Sequence, residues 1–153
     1  MSKQMLQEIT FRQIQEDDIP KIIAIEKETF SDAWTTQSLS ETCRQEQAFI
    51  SVADAKGEVL GYCIIYHVLD EGEMVRIAVD KQFRHEGLGQ ALLNYTSEVC
   101  REKGVCKILL EVRESNASAR RFYTHYGFKE DGIRKNFYDS PKENAVLMSK
   151  SLL

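Results

Sequence analysis

The stretch from Met74 to Cys100 restricts the fold more than any other, because a strand-like run passes through a polar loop with two glycines into a helical period. Residues 74–79 read as a strand. After Asp80 come Lys81-Gln82-Phe83-Arg84-His85-Glu86 and then Gly87-Leu88-Gly89. Beyond them Leu88, Ala91, Leu92, Tyr95, Val99 and Cys100 mark one face of a long helix, with Gly104 placed to cap its end. Such a loop points backbone N–H groups outward at the helix start. Glycines let a phosphate approach the main chain, and the helix N-terminus adds about half a positive charge there. Arg84 or His85 would supply further charge-assisted bonds. A plain helix-opening turn has the same local sequence, so the loop alone assigns no ligand.

Two familiar nucleotide loops can be tested against it. A Walker loop is excluded, since no Lys-Ser or Lys-Thr follows the glycines. A dinucleotide fingerprint fits poorly: Leu92 stands where a third small residue belongs, and the glycines do not leave the strand directly.

Alternation in residues 8–14 predicts a first strand. Ile19, Ile22, Ile23 and Ile25 then predict a helix with Pro20 in its first turn. A second short helix is expected over residues 37–44, capped by Thr35 or Thr36. Runs at 49–53 and 59–68, with a turn at Asp70-Glu71-Gly72, predict that strands two to four form an antiparallel meander. Residues 107–112 read as an apolar strand buried on both faces. Ser115 or Asn116 caps a helix carrying Ala119, Phe122, Tyr123 and Tyr126 and ended by Gly127. Late strands at 128–135 and 145–151 complete the sheet.

The chain has 153 residues, enough for one domain spanning residues 1–153. No apolar run approaches the 18 or so residues of a membrane span, and residues 1–15 lack the pattern of an export signal, so a cytoplasmic location is expected. A net charge of −4 argues against a general nucleic-acid binder. Cys43, Cys63, Cys100 and Cys106 form no C-x-x-C pair and lie at no metal-ligand spacing with histidine, so free thiols and no metal are expected.

Glu111 interrupts the apolar strand. A carboxylate among leucines is desolvated, which raises its pKa toward the range of a general base. The alternative is a strand-end carboxylate paired with Arg113 or a lysine. Tyr123, on the next helix, reads equally as a proton donor or as a core aromatic.

Ile77-Ala78-Val79, Arg84-x-x-Gly87-x-Gly89 and Glu111-Val112-Arg113-x-Ser115-Asn116-x-x-Ala119-x-x-x-Tyr123-x-x-x-Gly127-Phe128 together resemble the GNAT acetyltransferases, within them the group that acetylates protein N-termini. The likeness covers nearly the whole chain, including Trp34 and Arg134-Lys135-Asn136-Phe137-Tyr138. It implies an α/β (α+β) fold: a mixed, mostly antiparallel sheet of about seven strands, helices on both faces, and a splay between strands four and five that holds acetyl-CoA. Main-chain groups of Ile77, Ala78 and Val79 would pair with the pantetheine arm. The amides of His85, Glu86, Gly87, Leu88, Gly89 and Gln90 would hold the pyrophosphate. Asn116 would touch the arm, Glu111 would take the acceptor's proton, and Tyr123 would protonate the departing thiolate. Trp34 and Tyr138 would line the acceptor groove. Arg76 departs from the small polar residue common at its position, and would influence acceptor choice.

The acceptor implied is a protein N-terminus, the N-terminal alanine of a ribosomal protein, with no direct contact to nucleic acid or membrane and a monomer or weak dimer as the acting form. A small amine or lysine side chain is the alternative acceptor. A non-catalytic CoA-binding module is the third reading.

Overall fold

In the computed structural model, which describes residues 8–153, alternation in the first half of the chain becomes the expected meander. β1 (Ile9–Gln13) pairs antiparallel with β2 (Ala48–Ala55), β2 with β3 (Glu58–Val68), and β3 with β4 (Glu71–Val79). Between β1 and β2 lie a 3-10 turn (Glu16–Asp18), α1 (Ile19–Thr29) and α2 (Thr36–Cys43). Thr35 caps α2 as predicted, its hydroxyl accepting from Ser38 N at 3.1 Å. A second 3-10 turn (Lys81–Phe83) precedes α3 (Leu88–Glu102), which leads to β5 (Lys107–Arg113), α4 (Ala117–His125), β6 (Lys129–Tyr138) and β7 (Glu143–Ser151). The part of the export-signal reading that falls on residues 1–7 lies outside the described residues. No helix among the described residues is long and apolar enough to cross a membrane.

The seven strands form one sheet in the order β1-β2-β3-β4-β5-β7-β6, with β4 and β5 parallel and the other neighbours antiparallel. One face is covered by α3, whose Leu92, Leu93 and Cys100 are fully buried against Ile65, Ile108 and Met148. On the other face Ile22 and Ile25 of α1 and Leu39 of α2 pack on Ile50, Tyr62 and Ile64. Helices therefore lie on both faces, as expected. That second core takes no residue from β5, β6 or β7, so α1 and α2 shield only the first half of the sheet.

Two local expectations need correction. Glu71 and Gly72 belong to β4, and the β3–β4 turn is Leu69-Asp70, with Leu69 at φ +56°. A leucine in a left-handed turn gives the sequence no turn signal. β5 is not buried on both faces: Ile108, Leu110 and Val112 are buried, whereas Leu109 and Glu111 are only partly covered. The partly covered side is the one that α1 and α2 do not reach.

β4 and β5 pair only through Glu71–Glu73 against Lys107–Leu109 and then part. The register between β3 and β4 shifts just beyond, Ile64 facing Arg76 and Ile65 facing Met74, so Val75 is an extra residue. A bulge there bends β4 where its bonding to β5 ends. Gly61 lets the far end of β4 lie close to β3, since a Cβ at that position would sit 2.9 Å from the Ala78 carbonyl oxygen. The sheet thus splits at the expected place.

Candidate active site

The split exposes one edge of β4. Asp80 N donates to Leu60 O at 2.8 Å, continuing the β3–β4 ladder. Antiparallel alternation then turns the main-chain groups of Ala78 toward β3 and those of Ile77 and Val79 toward the split. In agreement, Val79 O accepts from the Arg84 side chain at 3.0 Å rather than from a strand. Arg84 also donates to Thr29 Oγ1 at 3.0 Å, so it ties the loop to β4 and α1.

Below the split, the loop ends in two left-handed residues, His85 at φ +65° and Gly87 at φ +81°. Gly87 is the N-cap of α3 and, having no side chain, gives the helix no side-chain cap bond to its first amides, those of Leu88, Gly89 and Gln90. Glycine is favoured at 87 by its left-handed backbone conformation. At Gly89 a Cβ would meet Phe122 at an ordinary 3.5 Å, so packing alone does not demand glycine there.

A cavity of about 360 Å³ occupies the split, and Arg76, Ile77, Glu111, Asn116, Tyr123 and Tyr138 all line it. Residues of β4, β5, α4 with its cap, and β6 are brought together by the parting of two strands. Burial first, and then the nearby Glu73, push the Glu111 carboxyl above its usual range, while Arg134 opposes them. The cation paired with Glu111 is Arg134, at 3.1 Å, not Arg113 or a lysine. Tyr123 packs edge-on to Phe122 and Phe128, with ring centres 5.4 and 5.5 Å away. Burial raises its hydroxyl pKa, so it keeps its proton at neutral pH. Asn116 caps α4 by accepting from Ala119 N at 3.1 Å, which leaves its NH₂ group as a donor.

Arg113 instead shapes the β6–β7 connection. Its guanidinium lies 4.4 Å from the Tyr138 ring centre, donates to Asp139 O and Pro141 O, and pairs with Glu143 at 3.2 Å. Arg76 is similarly engaged. It pairs with the buried Glu26 at 3.3 Å, donates to Asp32 O at 3.0 Å and lies 3.9 Å above the Phe30 ring, so its charge is already matched inside the protein. Trp34 is not in the cavity lining; it packs against the α1–α2 core, and its backbone N–H donates to Glu26 Oε1 at 2.9 Å. Sequence reasoning missed Glu26, Asp32, Arg113 and Arg134 as parts of the site. Their partners lie far along the chain, and no local pattern connects them. Among the described residues no group of three or more His, Cys, Asp or Glu is arranged to hold a metal.

A parallel pair of strands that part above a glycine-started helix, with a raised carboxyl in the gap, is the plan of an acyl-CoA-dependent N-acetyltransferase. The chain belongs to the acetyltransferase (GNAT) family, whose description matches residues 19–128. It is 34% identical over 140 residues to the ribosomal protein bS18-alanine N-acetyltransferase of Haemophilus influenzae, covering 90% of this chain and 94% of that one. Its fold matches the crystal structure of the ribosomal-protein-S18-alanine N-acetyltransferase from Escherichia coli with a TM-score of 0.86 at 30% identity, over 94% of both chains. Ard1 from Thermoplasma volcanium matches with a TM-score of 0.87 at 30% identity, over 95% of this chain and 99% of that one.

Proposed function

We propose that the protein transfers the acetyl group of acetyl-CoA to the α-amino group of a protein N-terminus, the N-terminal alanine of a ribosomal protein. The observation that carries this reading is the meeting of Glu111 and Tyr123 in one cavity beside the open edge of β4. The acceptor is the one that the relatives' names give, and a cytoplasmic location is part of the same proposal.

The residues present fit the donor. Ile77 offers its main-chain groups and Val79 its amide to an amide-bearing arm, the first amides of α3 at residues 88–90 suit a pyrophosphate, and Asn116 offers its NH₂ group. When bound, acetyl-CoA supplies a thioester already activated toward an amine. Glu111, through water, removes a proton from the acceptor ammonium, whose usual pKa is about 8, and the freed nitrogen forms the new C–N bond. Tyr123 gives its proton to the sulfur as the C–S bond breaks, and the second proton that the nitrogen sheds on becoming an amide restores the phenol. Direct attack needs geometry rather than an acyl-enzyme. Burial pushes the Cys63 and Cys100 thiols up to about 12 and about 11, so neither is a ready nucleophile. Arg76 and Tyr138 form the acceptor's side of the cavity, Arg76 by fixing the Phe30–Asp32 wall.

The test is a panel of acceptors assayed for CoA release and product mass: Ala-initiated peptides, the same peptides with blocked N-termini and a free lysine, and small amines. Ala-initiated peptides are expected to be acetylated at the α-amine at least tenfold faster than the others. Faster turnover of lysine or small amines would move the assignment to the alternative acceptor. No turnover of any of them would leave the CoA-binding module as the better reading.

A further inference from the structure

The half of the sheet that α1 and α2 leave uncovered carries a second cavity of about 630 Å³, floored by Leu109, Leu147 and Ile133. Glu111 lines this cavity as well as the one in the split, so the two adjoin at the proposed base. Glu73 and Leu109 connect it in turn to a third, of about 350 Å³, at the β3–β4 turn. There Val68 and Leu69 are 69% and 88% exposed, and Ile133 on the floor is 55% exposed. A single trough therefore leads from the reacting carboxylate across the face of β5 to the far end of the sheet.

Given the acceptor assigned above, we propose that this trough holds the acceptor polypeptide beyond its first residue and selects a basic chain. From Glu111 to Lys107 is four strand residues, roughly 13 Å, which accommodates about four residues of extended polypeptide. Apart from the Glu111–Arg134 pair, the trough is lined by the carboxylates of Asp70, Glu71, Glu73 and Asp131 against one lining cation, Lys107, with the exposed Lys129 pairing Asp131 at 3.8 Å. Leu109, Leu147 and Ile133 give the stems of long basic side chains an apolar surface, while the rim carboxylates meet their charged ends. The split chooses the amine, and the trough reads the side chains behind it.

Three Ala-initiated octapeptides of equal length, with Lys, Ser or Glu at positions three to six, would be compared with an Ala-initiated dipeptide amide. The Lys peptide is expected to exceed the Glu peptide in kcat/KM by roughly tenfold or more, the difference lying in KM and shrinking with added salt. Glu71→Lys with Asp131→Lys, which leaves Glu111, Glu73 and Arg134 in place, should invert that order while turning over the dipeptide as the unaltered enzyme does. Octapeptides acetylated at equal rates whatever their charge would overturn the trough proposal but not the N-terminal acetylation reading. Failure with every Ala-initiated substrate, the dipeptide included, would overturn the reading itself. If the double substitution dissolved a dimer without changing peptide preference, the surface would be a contact between copies and the proposal would fall.

Discussion

Glu111→Gln lowers kcat by about a hundredfold or more, because a proton must leave the acceptor nitrogen and Gln cannot take it. Gln keeps the shape of the side chain and a hydrogen bond acceptor for Arg134. The pH profile separates loss of a base from loss of packing. Burial and Glu73 raise the Glu111 carboxyl, so activity should fall as pH drops through a value above the usual carboxylate figure of about 4.3. Arg134 opposes that shift, so Arg134→Gln should move the acid limb to higher pH. Screening at the 62% exposed Arg134 side chain keeps the movement modest. In Glu111→Gln that limb should give way to one set by the acceptor amine itself, near its usual pKa of about 8. Folding stability carries the same signature. A carboxyl with a raised folded-state pKa contributes stability at low pH and loses it as pH rises through that pKa, so the Gln variant should be no less stable at neutral pH. Tyr123→Phe should cost a comparable factor in rate while retaining the acid limb. Wild-type turnover in both variants would contradict the proton-transfer roles.

Arg76→Ala is expected to destabilise the fold by about 3 to 5 kcal/mol, because it leaves Glu26 buried without its cation. Glu26 is 1% exposed, and it accepts from the Tyr62 hydroxyl and from Trp34 N as well as from Arg76. Those two hydrogen bonds remain in the variant, but the opposite charge is gone. For a chain of this size the melting temperature should fall by about 10 °C. The same substitution frees Asp32, whose carbonyl and carboxylate both accept from Arg76, and uncovers the Phe30 ring. KM for the acceptor should therefore rise while KM for acetyl-CoA changes little. Arg76→Lys restores charge without the fork that reaches Glu26 and Asp32 together, so rescue should be partial. An unchanged melting temperature in Arg76→Ala would show that the Glu26 cluster does not depend on the cation.

The parts of the fold legible in the sequence were those written in local periodicity and caps. The helical face of α3, the Thr35 cap and the Gly127 stop all form as their residues predict. The Leu69-Asp70 turn was hidden because leucine is a poor turn former. The Val75 bulge was hidden because it depends on how two strands register, which neither strand states alone. Residues 84–90 and Glu111 stood out by type and position, and the fold sets Glu111 in the split and residues 88–90 at the start of α3. The roles of Arg76 and Arg113 did not stand out, since a cation's partner is chosen by the fold and not by its neighbours in sequence. Trp34 illustrates the converse: an aromatic near the expected groove packs instead on the core that supports it.

The most direct test of the central claim tracks the backbone amides as acetyl-CoA is added, by NMR of the uniformly labelled protein. If the split and the start of α3 hold the donor, the amides of Ile77 and Val79 and of Leu88, Gly89 and Gln90 should shift on binding and exchange more slowly with solvent. The amide of Ala78, turned toward β3, should be protected already and change least. Saturable binding of acetyl-CoA that leaves those five amides unmoved, and perturbs the trough over β5 and β7 instead, would contradict a donor site in the split.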